Sequence, residues 1–119
     1  MYEVEFYKKA NGESPVKEFL AILESQSSTN RDARIQQQQI TRYIQLLREN
    51  GTRLWENVTK HLEDGIWELR PGCNRVLFFY FRNDTFVLLH AFRKQGQKTP
   101  RREINHAMSE RADWLSRMT

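Results

Sequence analysis

The apolar positions of this 119-residue chain change period along its length, and the changes mark out its elements. Tyr2, Val4 and Phe6 alternate with Glu3 and Glu5, which predicts a short first strand over Tyr2 to Tyr7. Ser14-Pro15 is a helix start, with the serine hydroxyl as cap and the proline in the first turn. Val16, Phe19, Leu20 and Leu23 then recur at helical spacing through about Ser25. Thr29 or Asn30 can cap a second helix, which carries Ala33, Ile40, Tyr43, Ile44 and Leu47 on one side and ends at Gly51. Within it, Gln36 to Gln39 reads as a solvated stretch. Arg53 to Asp64 reads as an irregular connection anchored by Trp55, Val58 and Leu62.

Three apolar runs follow, joined by turn signals at Pro71-Gly72 and Asn83-Asp84, and they predict an antiparallel meander. Two-residue loops would set Glu68 opposite Arg75, Arg75 opposite Phe92 and Leu77 opposite His90. A four-residue loop from Pro71 to Asn74 keeps the same parity, whereas a three-residue loop would turn the first strand over. Alternation then collects Glu68, Arg70, Arg75, His90 and Lys94 on one face. The other face takes Trp67, Leu69, Val76, Phe78, Tyr80, Val87, Leu89 and Ala91 as core. Thr99-Pro100 opens a last helix with Ile104, Ala107, Met108, Leu115 and Met118 on its buried stripe. The order is βααβββα, an α+β fold with a small antiparallel sheet, a helical hairpin and a C-terminal helix, in a single domain over residues 1–119.

Charge sharpens this picture. Residues 1–66 carry 9 Lys and Arg against 10 Asp and Glu, but residues 67–119 carry 10 against 5. The positive excess therefore sits with the meander and points to an anionic partner, nucleic acid above all. Cys73 is the only cysteine, which excludes an intrachain disulfide or a cysteine metal cluster. No zinc spacing, P-loop or dinucleotide fingerprint is present, so neither a metal nor a cofactor is implied. The acidic, alternating N-terminus is unlike a signal peptide, and no apolar run reaches membrane-spanning length. A cytoplasmic location, with no membrane partner, is the expectation.

The residue types on the charged face suit RNA cleavage. Attack by the 2′-hydroxyl on its own phosphate requires removal of one proton, stabilisation of added negative charge and protonation of the leaving oxygen. Arginine forks grip phosphate oxygens, and lysine can act as acid or base when its surroundings depress its pKa. Arg70, Arg75 and Lys94 are the candidate catalytic residues, with Glu68 as an orienting group or base. His90 is a further candidate, although a hydrogen-bonded structural histidine is the better reading of its apolar neighbours. The arginines have a plainer alternative as partners of Glu68 on a solvated face. Arg93, Lys98, Arg101 and Arg102 are candidate RNA contacts. His61 and His106 have no evident partners.

Leu62-x-x-Gly65-Ile66-Trp67-Glu68-Leu69-Arg70, Arg75-Val76-Leu77, Leu88-Leu89-His90-Ala91-Phe92-x-Lys94 and Lys98-Thr99-Pro100 together resemble the RelE/HigB superfamily of toxins. The closer likeness is to its phage-derived HigB-type branch. The resemblance implies a type II toxin that cleaves messenger RNA, usually on the translating ribosome. It also implies a cognate antitoxin, commonly a helix-turn-helix protein. Its basic positions map best onto Arg70, Arg75 and Lys94. Where that family commonly has two adjacent lysines and a threonine, this chain has Lys94-Gln95-Gly96, with Lys98 or Arg93 as substitutes. It also lacks a late tyrosine, a role that Tyr80 does not fill because its parity puts it in the core. Two other readings keep the same residues: a ParE-like gyrase poison, and an RNA-binding protein without catalysis. Phe79, Phe81, Phe86 and Leu88, towards the Asn83-Asp84 turn, are expected to be capped by the last helix or by the antitoxin.

Overall fold

The computed structural model describes residues 1–118. It contains β1 (Glu3–Phe6), α1 (Pro15–Gln26), α2 (Arg31–Asn50), β2 (Thr59–Glu63), β3 (Ile66–Leu69), β4 (Asn74–Arg82), β5 (Thr85–Arg93) and α3 (Arg101–Met118). The α+β class holds, with one strand more than expected. β2 lies inside the stretch read as irregular and pairs antiparallel with β3. Its sequence, Thr-Lys-His-Leu-Glu, has a single aliphatic residue, so no alternation announces it. Pairing along β3 supplies the order instead.

The sheet runs β1-β5-β4-β3-β2, with β1 parallel to β5 and the remaining neighbours antiparallel. A parallel first pair needs a long crossover, and the α1–α2 hairpin provides it. Both helices start as the sequence indicates: the Ser14 side chain accepts from the Lys17 amide, and Asn30 accepts from the Ala33 amide. α2 stops at Gly51, where φ is +63° and a Cβ would come within 2.8 Å of the Tyr2 ring. Glycine is required there for conformation and for space.

The hairpin covers one face of the sheet. Val16, Ile40, Ile44 and Leu47 pack on Leu69, Val76, Phe78, Phe86 and Leu88. α3 covers the other face, where Ala107 and Trp114 pack on Ile66, Leu77, Phe79, Val87 and Leu89. A sheet buried on both sides explains why Phe78 and Phe79 are adjacent and both buried.

The expected faces of β5 are half reversed, and a bulge is the cause. Leu77 pairs with His90, but Phe78 pairs with Leu88, so Leu89 is an extra residue in β5. Val87 and Leu89 therefore lie under α3, while Phe86 and Leu88 lie under the hairpin. A compensating shift at Phe81 restores the register at Arg82 and Thr85, around a two-residue turn with φ of +52° at Asn83 and +57° at Asp84. Tyr80 is not core: it is 49% exposed, with its ring edge-on to Phe86 and its hydroxyl accepting from the Asp84 amide. Phe81 is half-buried edge-on to Trp114, and Phe79, Phe86 and Leu88 are buried, so the two helical layers cover these positions within this chain. On α3, Met118 is exposed, and Glu110 and Trp114 join the buried stripe. Gln36 is likewise buried rather than solvated, accepting from the Asn74 side chain at 3.0 Å.

Candidate functional site

β3 and β4 are joined by the four residues Arg70 to Cys73, with Glu68 paired to Leu77 and Leu69 to Val76, a register in which Pro71 to Asn74 separate Arg70 from Arg75. The parity that groups Glu68, Arg70 and Arg75 is thereby kept. Glu68 is 2% exposed and forms the centre of the group. One carboxylate oxygen accepts a short hydrogen bond from the Thr99 hydroxyl. The other lies 3.4 Å from Arg70 Nε and 3.8 Å from Arg75 Nε, in ion-pair contact. A carboxylate this deeply buried is stable only with such partners.

Each arginine is also tied to backbone carbonyls. Arg70 Nη1 donates to the Glu56 carbonyl at 2.9 Å. Arg75 Nη1 donates to the Gly72 and Asn74 carbonyls at 2.9 and 2.7 Å. Arg75 is buried, which pulls its guanidinium below arginine's ordinary value, an effect opposed by the Glu68 charge. Arg70 is the more open of the two.

The loop from Lys94 to Pro100 is pinned over this group at both ends. The Lys94 amide donates to the Cys73 carbonyl at 2.9 Å, and Thr99 holds Glu68. Two openings flank the loop. A groove of about 330 Å³ is lined by Lys60, Glu68, Arg70, Lys98, Thr99 and Arg101. A narrow cleft on the other side is lined by Arg75, Phe92, Lys94, Lys98 and Thr99. Lys98 and Thr99 border both, so the two openings are sides of one basic depression. Arg101 is exposed and paired with Glu63 at 2.8 Å. A larger concavity of about 670 Å³ lies on the helical hairpin, away from these arginines, bordered by Leu20, Thr41, Arg42 and Arg48.

His90 keeps the expected face but lies beneath α3 and borders neither opening. Its Nδ1 is 2.6 Å from Glu110 Oε1 and its Nε2 is 3.0 Å from Glu103 Oε1. Burial is the largest influence and opposes the cation. Hydrogen bonds and charges from Glu110 and Glu103 outweigh it and raise the His90 pKa above histidine's ordinary value. His106, which the sequence left without a partner, stacks on His90 at 4.6 Å and lies 3.5 Å from Glu110.

Of the remaining basic candidates, Arg93 and Arg102 are exposed and border neither opening; Arg102 lies 4.0 Å from Glu103. Alternation from Phe92 turns Arg93 towards the hairpin side of the sheet. Sequence reasoning missed four contributors. Lys60 was hidden with β2, Thr99 was read only as a helix start, and Glu103 and Glu110 lacked a visible partner. The spacing Glu103, His106, Glu110 on one helical face was the available signal.

Among the described residues no helix is long and apolar enough to cross a membrane. No curated protein matches the sequence significantly. The family model described as phage-derived protein Gp49-like (DUF891) matches residues 28–112, which include the hairpin's second helix, β2 to β5 and most of α3. The chain belongs to this Gp49-like family of RelE-like, toxin-type proteins.

Proposed function

We propose that this protein is the toxin of a type II toxin–antitoxin pair, of the HigB-like branch, and that it is an endoribonuclease acting on messenger RNA at the translating ribosome. The observation that carries this reading is the buried Glu68 carboxylate, which holds Arg70 and Arg75 and, through Thr99, anchors the loop bearing Lys94 and Lys98. An acid with no open side, ringed by cations that do have one, is suited to hold phosphate rather than to take a proton.

In this reading Lys60, Lys98 and Arg101 guide the RNA backbone along the groove. The 2′-hydroxyl gives up its proton to solvent water as its oxygen attacks the adjacent phosphorus, and Arg70 and Arg75 stabilise the charge that develops on the phosphorane oxygens. Lys94 gives its proton to the departing 5′-oxygen. The products are a 2′,3′-cyclic phosphate and a 5′-hydroxyl. Glu68 is a positioning residue, since both arginines and the loop depend on it. A cognate antitoxin of the helix-turn-helix type silences the toxin.

Brief expression of the gene followed by mapping of message ends is the test. Growth arrest with new 5′-hydroxyl ends is the expected result. Intact messages accompanied by gyrase-linked DNA breaks would replace this reading with a ParE-like one.

A further inference from the structure

The second constellation on the same sheet face has a different chemistry. Ligand-capable atoms of His90, Glu103 and His106 all lie within 4.8 Å of one another. Two elements of the fold, β5 and α3, produce this approach. Pairing of His90 with Leu77 sets His90 on the side of the sheet that α3 covers, and Glu103 and His106 lie one turn apart on the facing side of that helix. Glu110, one further turn along, is 4% exposed and sits behind both rings. Its Oε1 faces His90 Nδ1 at 2.6 Å, and its Oε2, buried without a hydrogen-bond donor, faces His106 Nε2 at 3.5 Å.

We propose that His90, Glu103 and His106 form a binding site for a zinc-class divalent ion, with Glu110 as the outer carboxylate that orients both imidazoles. Metal-bound histidines usually give their second nitrogen to a carboxylate, and Glu110 stands where that partner is needed. The His90 Nε2 to Glu103 Oε1 separation of 3.0 Å is close to a coordination edge. Donors bound at ~2.0–2.2 Å around a tetrahedral ion lie roughly 3.3–3.6 Å apart. His106 has to turn out of its stack on His90 to complete the set, and its exposed side chain has room to do so. A water would fill the fourth position. Two imidazoles and a carboxylate select zinc or cobalt over magnesium or calcium, which prefer all-oxygen sets.

The site lies under the first turns of α3, outside the arginine depression. A bound ion would clamp that helix to β5 just after the loop that Thr99 anchors. No zinc spacing is visible along the chain because the ligands are split between a strand and a helix, without the paired cysteines or histidines of a local motif.

The test is titration of the untagged protein with Co²⁺ alone and then with Zn²⁺ alone. The expected result is one saturable equivalent, with a visible absorption band for cobalt that zinc displaces and a melting temperature raised by zinc. His106→Ala and Glu103→Gln should each weaken binding at least tenfold while melting near the parent value without metal. Glu110→Gln should weaken it roughly 10–100-fold. Absence of saturable binding, or binding unchanged in both His106→Ala and Glu103→Gln, would overturn the site.

Discussion

Two buried carboxylates face α3's side of the sheet, and their surroundings are opposite in charge and in access. Glu68 is one acid among two arginines, with lysines at the rim and an opening on either side of its covering loop. Glu110, on α3, shares His90 with a second acid, Glu103, and is buried against the sheet. The first arrangement leaves cationic capacity unspent towards solvent, which suits a phosphate. The second leaves anionic capacity unspent inside, which suits a cation. On the proposed reading the same residue type serves opposite ligands because Arg70 and Arg75 border openings at the strand ends, whereas His90 in the strand lies beneath a helix.

The largest expected effect comes from Glu68→Ala. It strands the Arg75 guanidinium, and removing one partner of a buried pair costs about 3–5 kcal/mol. RNA cleavage should vanish with it, because Thr99 and its loop are released. Glu110→Ala should lower stability on a similar scale but leave cleavage in the folded fraction close to normal. Denaturant melts paired with activity per folded molecule would separate the two acids, and equal activity losses would erase the contrast between them.

Lys94→Ala comes next. Lys94 is exposed and borders the cleft, so its removal should lower cleavage roughly 10²–10³-fold, as for loss of one transition-state contact, with unchanged melting. Arg75→Ala should behave differently. Its guanidinium is buried against Glu68, so activity and stability should fall together.

A smaller effect is expected at the far end of α3. The Tyr7 hydroxyl donates to Asp113 at 2.6 Å, and burial, then that bond and the Asp113 charge, push its pKa from 10.0 to about 12. The neutral phenol is thus favoured by folding. Its contribution is complete below pH ~10, the unfolded value, and is lost as pH rises through the folded value. Tyrosinate absorbance should show one ring titrating late, and Tyr7→Phe should flatten the alkaline fall in melting temperature. The smallest effect is that of Lys60→Ala. It should leave the cleavage step intact, weaken RNA binding evenly across sequences and reduce the salt slope by about 1.

How much of this was legible in the sequence depended on whether the signal was local. Ser14-Pro15, Asn30 and Gly51 fixed helix ends because each acts on its immediate neighbours. Asn83-Asp84 fixed a hairpin because both residues accept positive φ. The four-residue loop at Pro71 kept the parity of Glu68, Arg70 and Arg75, so the grouping of those charges was readable as well. The bulge at Leu89 was not. Val87, Leu88 and Leu89 are interchangeable as hydrophobes, and only packing of two helical layers decides which side chains face which layer. β2 was hidden because an edge strand takes its order from its partner. Thr99 and Glu110 were hidden because each contact joins residues far apart in the chain.

In the proposed mechanism the arginines held by Glu68, together with Lys94 at the cleft, cleave RNA. The most direct measurement is single-turnover cleavage of a message on purified ribosomes, comparing the parent protein with Lys94→Ala and Arg70→Ala at equal folded concentration and reading the chemistry of the new ends. Fragments with 5′-hydroxyl ends from the parent, with both variants slowed roughly 10²-fold or more, is the expected result. Parent-level cleavage by both variants, or no cleavage by the parent, would contradict it.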